Sequence, residues 1–232
     1  MAAMIEDLQS WAPFTGSLAA FLASHAIPAR PPIRRRLVGV VGERAYLILY
    51  SVMSLVLLGW LFRSAGEAPY VELWPVQDWQ RLVPQILVPL ALAMGTIGLF
   101  TANPLSLSLD RQDSGSAPSS ILGVTRHPVL WALALWAAAH LVPNGDLAHV
   151  LLFGILLMLC LGGMVLMDRR SARQLGEARW MELAATRPLV PFSRPGALRW
   201  PTRREALFGL LGLLVANTMA LLHGLIIGVP AI

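Results

Sequence analysis

Five histidines, His25, His127, His140, His149 and His223, and one arginine, Arg126, are the side chains whose type and setting could do chemistry. A neutral imidazole is a metal ligand and a proton carrier near neutral pH. His140 lies inside an apolar run from Val129 to Val142. An ionisable side chain there is costly and needs a partner. His25 ends another apolar run, and His127 sits between Arg126 and Pro128. The ordinary role for each is a buried or interfacial histidine bonded to a backbone carbonyl. For Arg126 the simpler reading is a positively charged anchor beside a span end. The sharper one is a partner for an anion. The single cysteine, Cys160, lies mid-run and reads as a small apolar packing residue. Asp146, after Asn144-Gly145, reads as a turn residue.

The elements that must position these side chains are long and apolar. Hydrophobic residues make up 56% of the 232, charged residues only 13%, and the mean hydropathy is +0.63. Apolar runs near 11–27, 45–62, 82–102, 128–143, 147–167 and 206–229 predict about six membrane spans. The fold class is therefore an all-α, polytopic transmembrane helical bundle, one domain over 1–232. Pro128 suits the first turn of a helix. Ala134 and Ala138, four apart, should admit a neighbouring helix closely. Leu133, Trp136 and His140 should share one face. Pro84 and Pro89 should bend or delay their helix, and Pro230 closes the last run. Residues 29–36, ARPPIRRR, read as a strongly basic turn.

Charge orients the spans. There is no lysine; all eighteen positive side chains are arginine. Arginines flank the apolar runs, which points to a membrane surface and away from nucleic acid. Five follow the first run, Arg111 and Arg126 precede the fourth, and nine lie between the fifth and sixth. These sixteen share one side; only Arg63 and Arg81 lie on the other. The positive-inside rule puts that side in the cytoplasm and both termini outside it, as in a bacterial inner membrane protein. Glu6 and Asp7, with no early positive charge, argue against a cleaved signal peptide. In the basic segment 168–205, Leu175, Ala178, Met181 and Ala185 recur at helical spacing, which predicts a cytoplasmic amphipathic helix ended by Pro188, Pro191 and Pro195.

Fragments spread over nearly the whole chain carry a resemblance: SHAIPARPPIRRRL, GERAYLILYSVMSLVLLGW, RHPVLWALALWAAAH, the NGD turn, and HGLIIGVP. Together they resemble the NnrU family, bacterial membrane proteins associated with the respiratory reduction of nitrogen oxides. The plant zeta-carotene isomerases look like relatives, most clearly in RHPVLWALALWAAAH and in DRRSARQLGEARWMELAATRPLVPF. The resemblance to those isomerases implies a b-type haem. Its two histidine ligands fall on His25 and His140, and an alternative cysteine ligand falls on Ala137, which cannot serve. Arg126 would then pair with a haem propionate. The NnrU resemblance implies a role in nitric oxide reduction or its assembly, with respiratory redox proteins as partners. The alternative is a haem-dependent isomerase of a polyene lipid. A second alternative follows from a partial likeness to membrane methyltransferases, where Leu130 and Arg169 depart from the expected tyrosine and acidic pair.

Depth within the membrane gives a different pairing. His25 and His127 lie at cytoplasmic span ends, while His140 is about 20 Å further along its helix at 1.5 Å per residue. Two axial ligands of one haem need the same depth. Span depth therefore pairs His25 with His127 and His140 with His223, against the family's His25 and His140.

Overall fold

The computed structural model describes residues 2–110, 119–229 and 231, with the backbone alone over 2–8. Arg111, Ser114 and Pro230 lie outside the described residues. Among those described there are nine α-helices and one 3-10 turn, with a single isolated β-bridge. The chain divides into two compact units: Met1–Pro75 with Gly145–Leu152, and Val76–Asn144 with Phe153–Ile232.

In the first unit α1 (Ala2–Ala26) packs on α3 (Glu43–Gly66). Their contact buries Phe14, Phe21, Leu61 and Ala65. At its centre the buried hydroxyls of Ser17 and Ser64 meet at 2.6 Å. Each hydroxyl also lies within reach of a carbonyl one turn earlier in its own helix, Phe14 and Leu61, so one hydroxyl donates to its carbonyl and the other donates to its neighbour's oxygen. The basic stretch expected to be a turn is instead a helix, α2 (Pro31–Val41). Its prolines fall at the first helical positions, where a missing N–H costs nothing. Gly42, at φ 82°, then breaks the chain before α3 in a conformation other residues avoid. The NGD turn pairs with residues 71–74. Leu73 and Trp74 donate to the Gly145 carbonyl, and Leu147 donates to the Val71 carbonyl. A Cβ on Gly145 would stand 2.1 Å from the Trp74 carbonyl oxygen, so the close approach requires glycine. Asp146 does more than turn the chain: its carboxylate accepts from the backbone N–H of His149, at 3.2 Å, at the start of α7 (Leu147–Leu175).

In the second unit α4 (Asp78–Phe100) packs against both α6 (Pro128–Leu141) and α9 (Arg203–Ile227). Small residues set these approaches, as expected for apolar helices that meet without a hydrophobic drive. A Cβ on Gly98 would lie 2.6 Å from Pro128, and one on Gly212 would lie 2.6 Å from the backbone of Ala93. On α6 the fully enclosed small residues are Ala132, Ala134, Ala137 and Ala139, whereas Leu133 of the expected face is exposed. Ala134, Leu130 and Met164 form a core against which Cys160 packs, in the apolar role its position suggested. Pro84 and Pro89 neither delay nor end α4, which starts at Asp78 with a Gln77–Gln80 capping box and runs through both. Prolines are tolerated in this way within spanning helices.

Beyond residue 167 the structure departs from a single amphipathic helix. No breaker follows Asp168, so α7 continues to Leu175. Gly176, at φ 84°, then separates it from α8 (Glu177–Ala185). Leu183 is the buried apolar side chain of α8, while Ala178, Met181 and Ala185 are exposed. A 3-10 turn, Pro195–Ala197, precedes α9. Four helices, α3, α4, α7 and α9, are long and apolar enough to cross a membrane; α6 is apolar but shorter.

Candidate functional site

Arg126, His127 and a residue sequence reasoning did not select, Asp168, form a buried cluster in the second unit. The segment 125–128 is held by its backbone first. The Arg126 N–H donates to the Pro188 carbonyl at 2.8 Å. Asn103 donates its side-chain N–H to the Arg126 carbonyl at 2.9 Å, and its own oxygen accepts from Leu105. Thr125 and Trp131 both donate to the Leu189 carbonyl at 2.9 Å. Ser171, one turn beyond Asp168, donates to the Leu105 carbonyl at 3.1 Å. Four stretches of chain far apart in sequence therefore converge on three side chains.

The Arg126 guanidinium meets Asp168 in a forked pair, with Nε at 2.9 and 3.1 Å from the two carboxylate oxygens. Nη1 also donates to the Arg187 carbonyl at 3.3 Å, and the guanidinium lies over the Trp180 ring. The Arg126 side chain is 11% exposed, and its positive charge meets the Asp168 carboxylate within the protein. His127 is wholly buried. Its Nε2 lies 3.0 Å from Asp168 Oδ1 and its Nδ1 lies 2.8 Å from the Ser106 hydroxyl. A carboxylate accepts only, so Nε2 carries the proton and Nδ1 accepts from Ser106. Both ring nitrogens are used, and neither is open to a metal in this arrangement. Charge and hydrogen bonds are matched throughout the cluster, as burial demands. Its chemistry is cohesion: one carboxylate fixes α7 to the start of α6.

His25 and His140 fall in different units, and each has its own surroundings. His25 Nδ1 lies 2.9 Å from the Phe21 carbonyl, four residues back, with the Ser24 hydroxyl at 3.3 Å. The Phe21 and Tyr50 rings pack on it at centroid distances of 4.3 and 6.0 Å. His140 repeats the pattern. Its Nδ1 lies 2.9 Å from the Trp136 carbonyl, again four residues back, and the Trp136 and Phe153 rings lie at 4.8 and 5.2 Å. A carbonyl accepts only, so Nδ1 carries a proton in both, and in the neutral ring Nε2 is then the nitrogen with the lone pair. Neither Nε2 makes a hydrogen bond among the described residues. This is the tautomer a metal ligand needs. His223 bonds the Val229 carbonyl through Nδ1, and His149 pairs with Asp146 at 2.8 Å. Ala137 is fully buried on α6. Among the described residues no group of three or more metal-binding side chains is gathered.

Asp168 left one trace in the sequence: a carboxylate ending an apolar run. That position also suits a residue at a span end, and no spacing ties it to residue 126, 42 positions earlier. Only the return of α7 beside the start of α6 joins them.

Long apolar helices joined by a buried ionic cluster define a helical membrane protein. The family model for the NnrU protein matches residues 13–231, nearly the whole chain. The chain belongs to the NnrU family. No curated protein and no solved structure matches it.

Proposed function

We propose that this NnrU protein is haem-associated and serves nitrogen-oxide respiration, in nitric oxide reduction or its assembly. His25 and His140 would be the axial ligands of a b-type haem. The observation that carries the reading is the geometry the two histidines share. Each spends its Nδ1 proton on the carbonyl four residues back, lies against aromatic rings, and presents an unprotonated Nε2. Two such neutral imidazoles are the donor set of a low-spin b-type haem, which when bound supplies one-electron transfer. The carbonyls of Phe21 and Trp136 hold the Nδ1 protons, and aromatic rings flank both imidazoles. Span depth offers His127 as the rival second ligand; the hydrogen bonds at both of its ring nitrogens favour His140. The forked pair of Arg126 with Asp168 weighs against a propionate partner.

Protein purified after expression with ample haem should show a Soret band and sharp bands on reduction. His25→Ala and His140→Ala should each abolish the low-spin spectrum, while folded His127→Ala should keep it. A haem-free, folded wild type would sink the proposal, and loss with His127→Ala but not with His140→Ala would reassign the second ligand. The polyene-lipid isomerase uses the same ligand pair and would be distinguished by turnover of zeta-carotene. The methyltransferase reading is weakened by Leu130 and Arg169, which depart from its expected tyrosine and acidic pair. No binding of S-adenosylmethionine is expected in calorimetry.

The proposed setting is the bacterial inner membrane, crossed about six times with both termini periplasmic. Sixteen of eighteen arginines on one side support it. A reporter fused after Leu198 should read cytoplasmic and one at Ala68 periplasmic; the reverse would invert the orientation.

A further inference from the structure

We infer that a cleft beside the 3-10 turn binds the phosphate headgroup of an anionic phospholipid. Ala185, Thr186, Arg194, Gly196, Ala197 and Arg199 line a cleft of about 290 Å³. It lies in the connection between α7 and α9, both long and apolar enough to cross a membrane. A connection between two spanning helices begins and ends at one membrane face, the face that carries lipid headgroups.

Charge selects the ligand. Residues 186–204 hold five arginines and no carboxylate. Arg194 donates through Nη1 to the Ala185 carbonyl, which holds its guanidinium at the cleft wall. Arg199 is exposed and makes no hydrogen bond or ion pair among the described residues. Two arginines among the six lining residues supply guanidinium forks that match the oxygens of a phosphate. A basic pocket at the end of spanning helices is a site for anionic headgroups.

Two exposed aromatic side chains, close in sequence to the cleft arginines, favour a lipid over a free anion. Trp200, next to Arg199, is 94% exposed, and Phe192 is 64% exposed. Phe192 is held at φ 62°, a conformation unfavourable for a bulky residue, by its N–H bond to the Val124 carbonyl. The fold thus turns a phenyl ring outward at a conformational cost. Exposed tryptophan and phenylalanine beside arginines are what an interface that dips into acyl chains requires.

The test is native mass spectrometry of the full chain, released from nanodiscs of equal phosphatidylglycerol and phosphatidylcholine. The wild type should retain phosphatidylglycerol in preference to phosphatidylcholine. Arg194→Gln with Arg199→Gln should lower that preference by on the order of tenfold, and Arg169→Gln with Arg170→Gln should leave it. Should the double variant misfold, Arg199→Gln alone, whose side chain bonds nothing described, should give a smaller loss in the same direction. Equal loss with the Arg169 and Arg170 pair, or retention by the cleft variants, would overturn the site as general basic attraction. Displacement of phosphatidylglycerol by excess inorganic phosphate would overturn the lipid and leave a free-phosphate site.

Discussion

The two units of this protein solve one problem in opposite ways. In the first, α1 and α3 meet through two serine hydroxyls in contact, each with a backbone carbonyl of its own helix in reach as an alternative acceptor. No charge is buried there, and each hydroxyl keeps a backbone carbonyl if its partner is lost. In the second, α7 meets the start of α6 through a carboxylate, a guanidinium and an imidazole. Each of those groups depends on the others. A neutral polar contact between apolar helices is worth about 0.6 kcal/mol, because its members find substitutes. A buried ion pair broken on one side costs about 3–5 kcal/mol, because the surviving charge is stranded. The first contact adjusts helix packing. The second makes one arrangement of α6 and α7 far better than its neighbours.

Asp168→Ala is the most direct way to break that contrast. It strands Arg126 and removes the acceptor from His127, so a loss of about 3–5 kcal/mol is expected. Thermal unfolding in detergent measures it, and a loss no larger than that of a serine variant would erase the difference between the units. Asp168→Leu combined with Arg126→Met removes both charges and should recover a large part of the loss. No recovery would mean that the pair acts through more than its charges.

A smaller effect is expected at Gly145→Ala. The new methyl group would meet the Trp74 carbonyl at 2.1 Å, and the pairing of 71–74 with the NGD turn must open. Overpacking of this kind costs about 1–3 kcal/mol. Protection of the Leu73, Trp74 and Leu147 amides from hydrogen exchange should fall, with the rest of the first unit unchanged. Unchanged protection would show that the turn can shift without loss.

Ser17→Ala should have the smallest effect, below about 1 kcal/mol, since Ser64 still bonds the Leu61 carbonyl. A melting temperature close to the wild type's would sharpen the contrast with Asp168→Ala. A loss as large would place the two contacts in one class.

Helix positions were legible where a local pattern decides them. Apolar runs predicted α3, α4, α6, α7 and α9 to within a few residues at most ends, because a buried or lipid-facing helix must be apolar along its length. Breakers were less legible. Pro31 and Pro32 read as a turn and instead start α2, where a missing N–H has no partner to lose; Pro84 and Pro89 stand inside α4 and do not delay its start. His25 and His140 stood out by type and setting. That both share one hydrogen-bonding pattern became visible only with the helix backbone four residues back.

The sequence by itself determined that this is an apolar, helical membrane protein of the NnrU family, with its arginines placed between the apolar runs. Those properties follow from composition and from residues near one another in the chain. Tertiary structure alone decided what Arg126 and His127 do. Read locally, an arginine before a proline-started helix belongs at the interface, and the adjoining histidine is a possible ligand. The fold brings Asp168 and Ser106 against them, and a buried carboxylate in reach of a guanidinium and an imidazole N–H takes both. The free energy of leaving any of these groups unpaired in an apolar interior is larger than any preference of residues 125–128 taken alone.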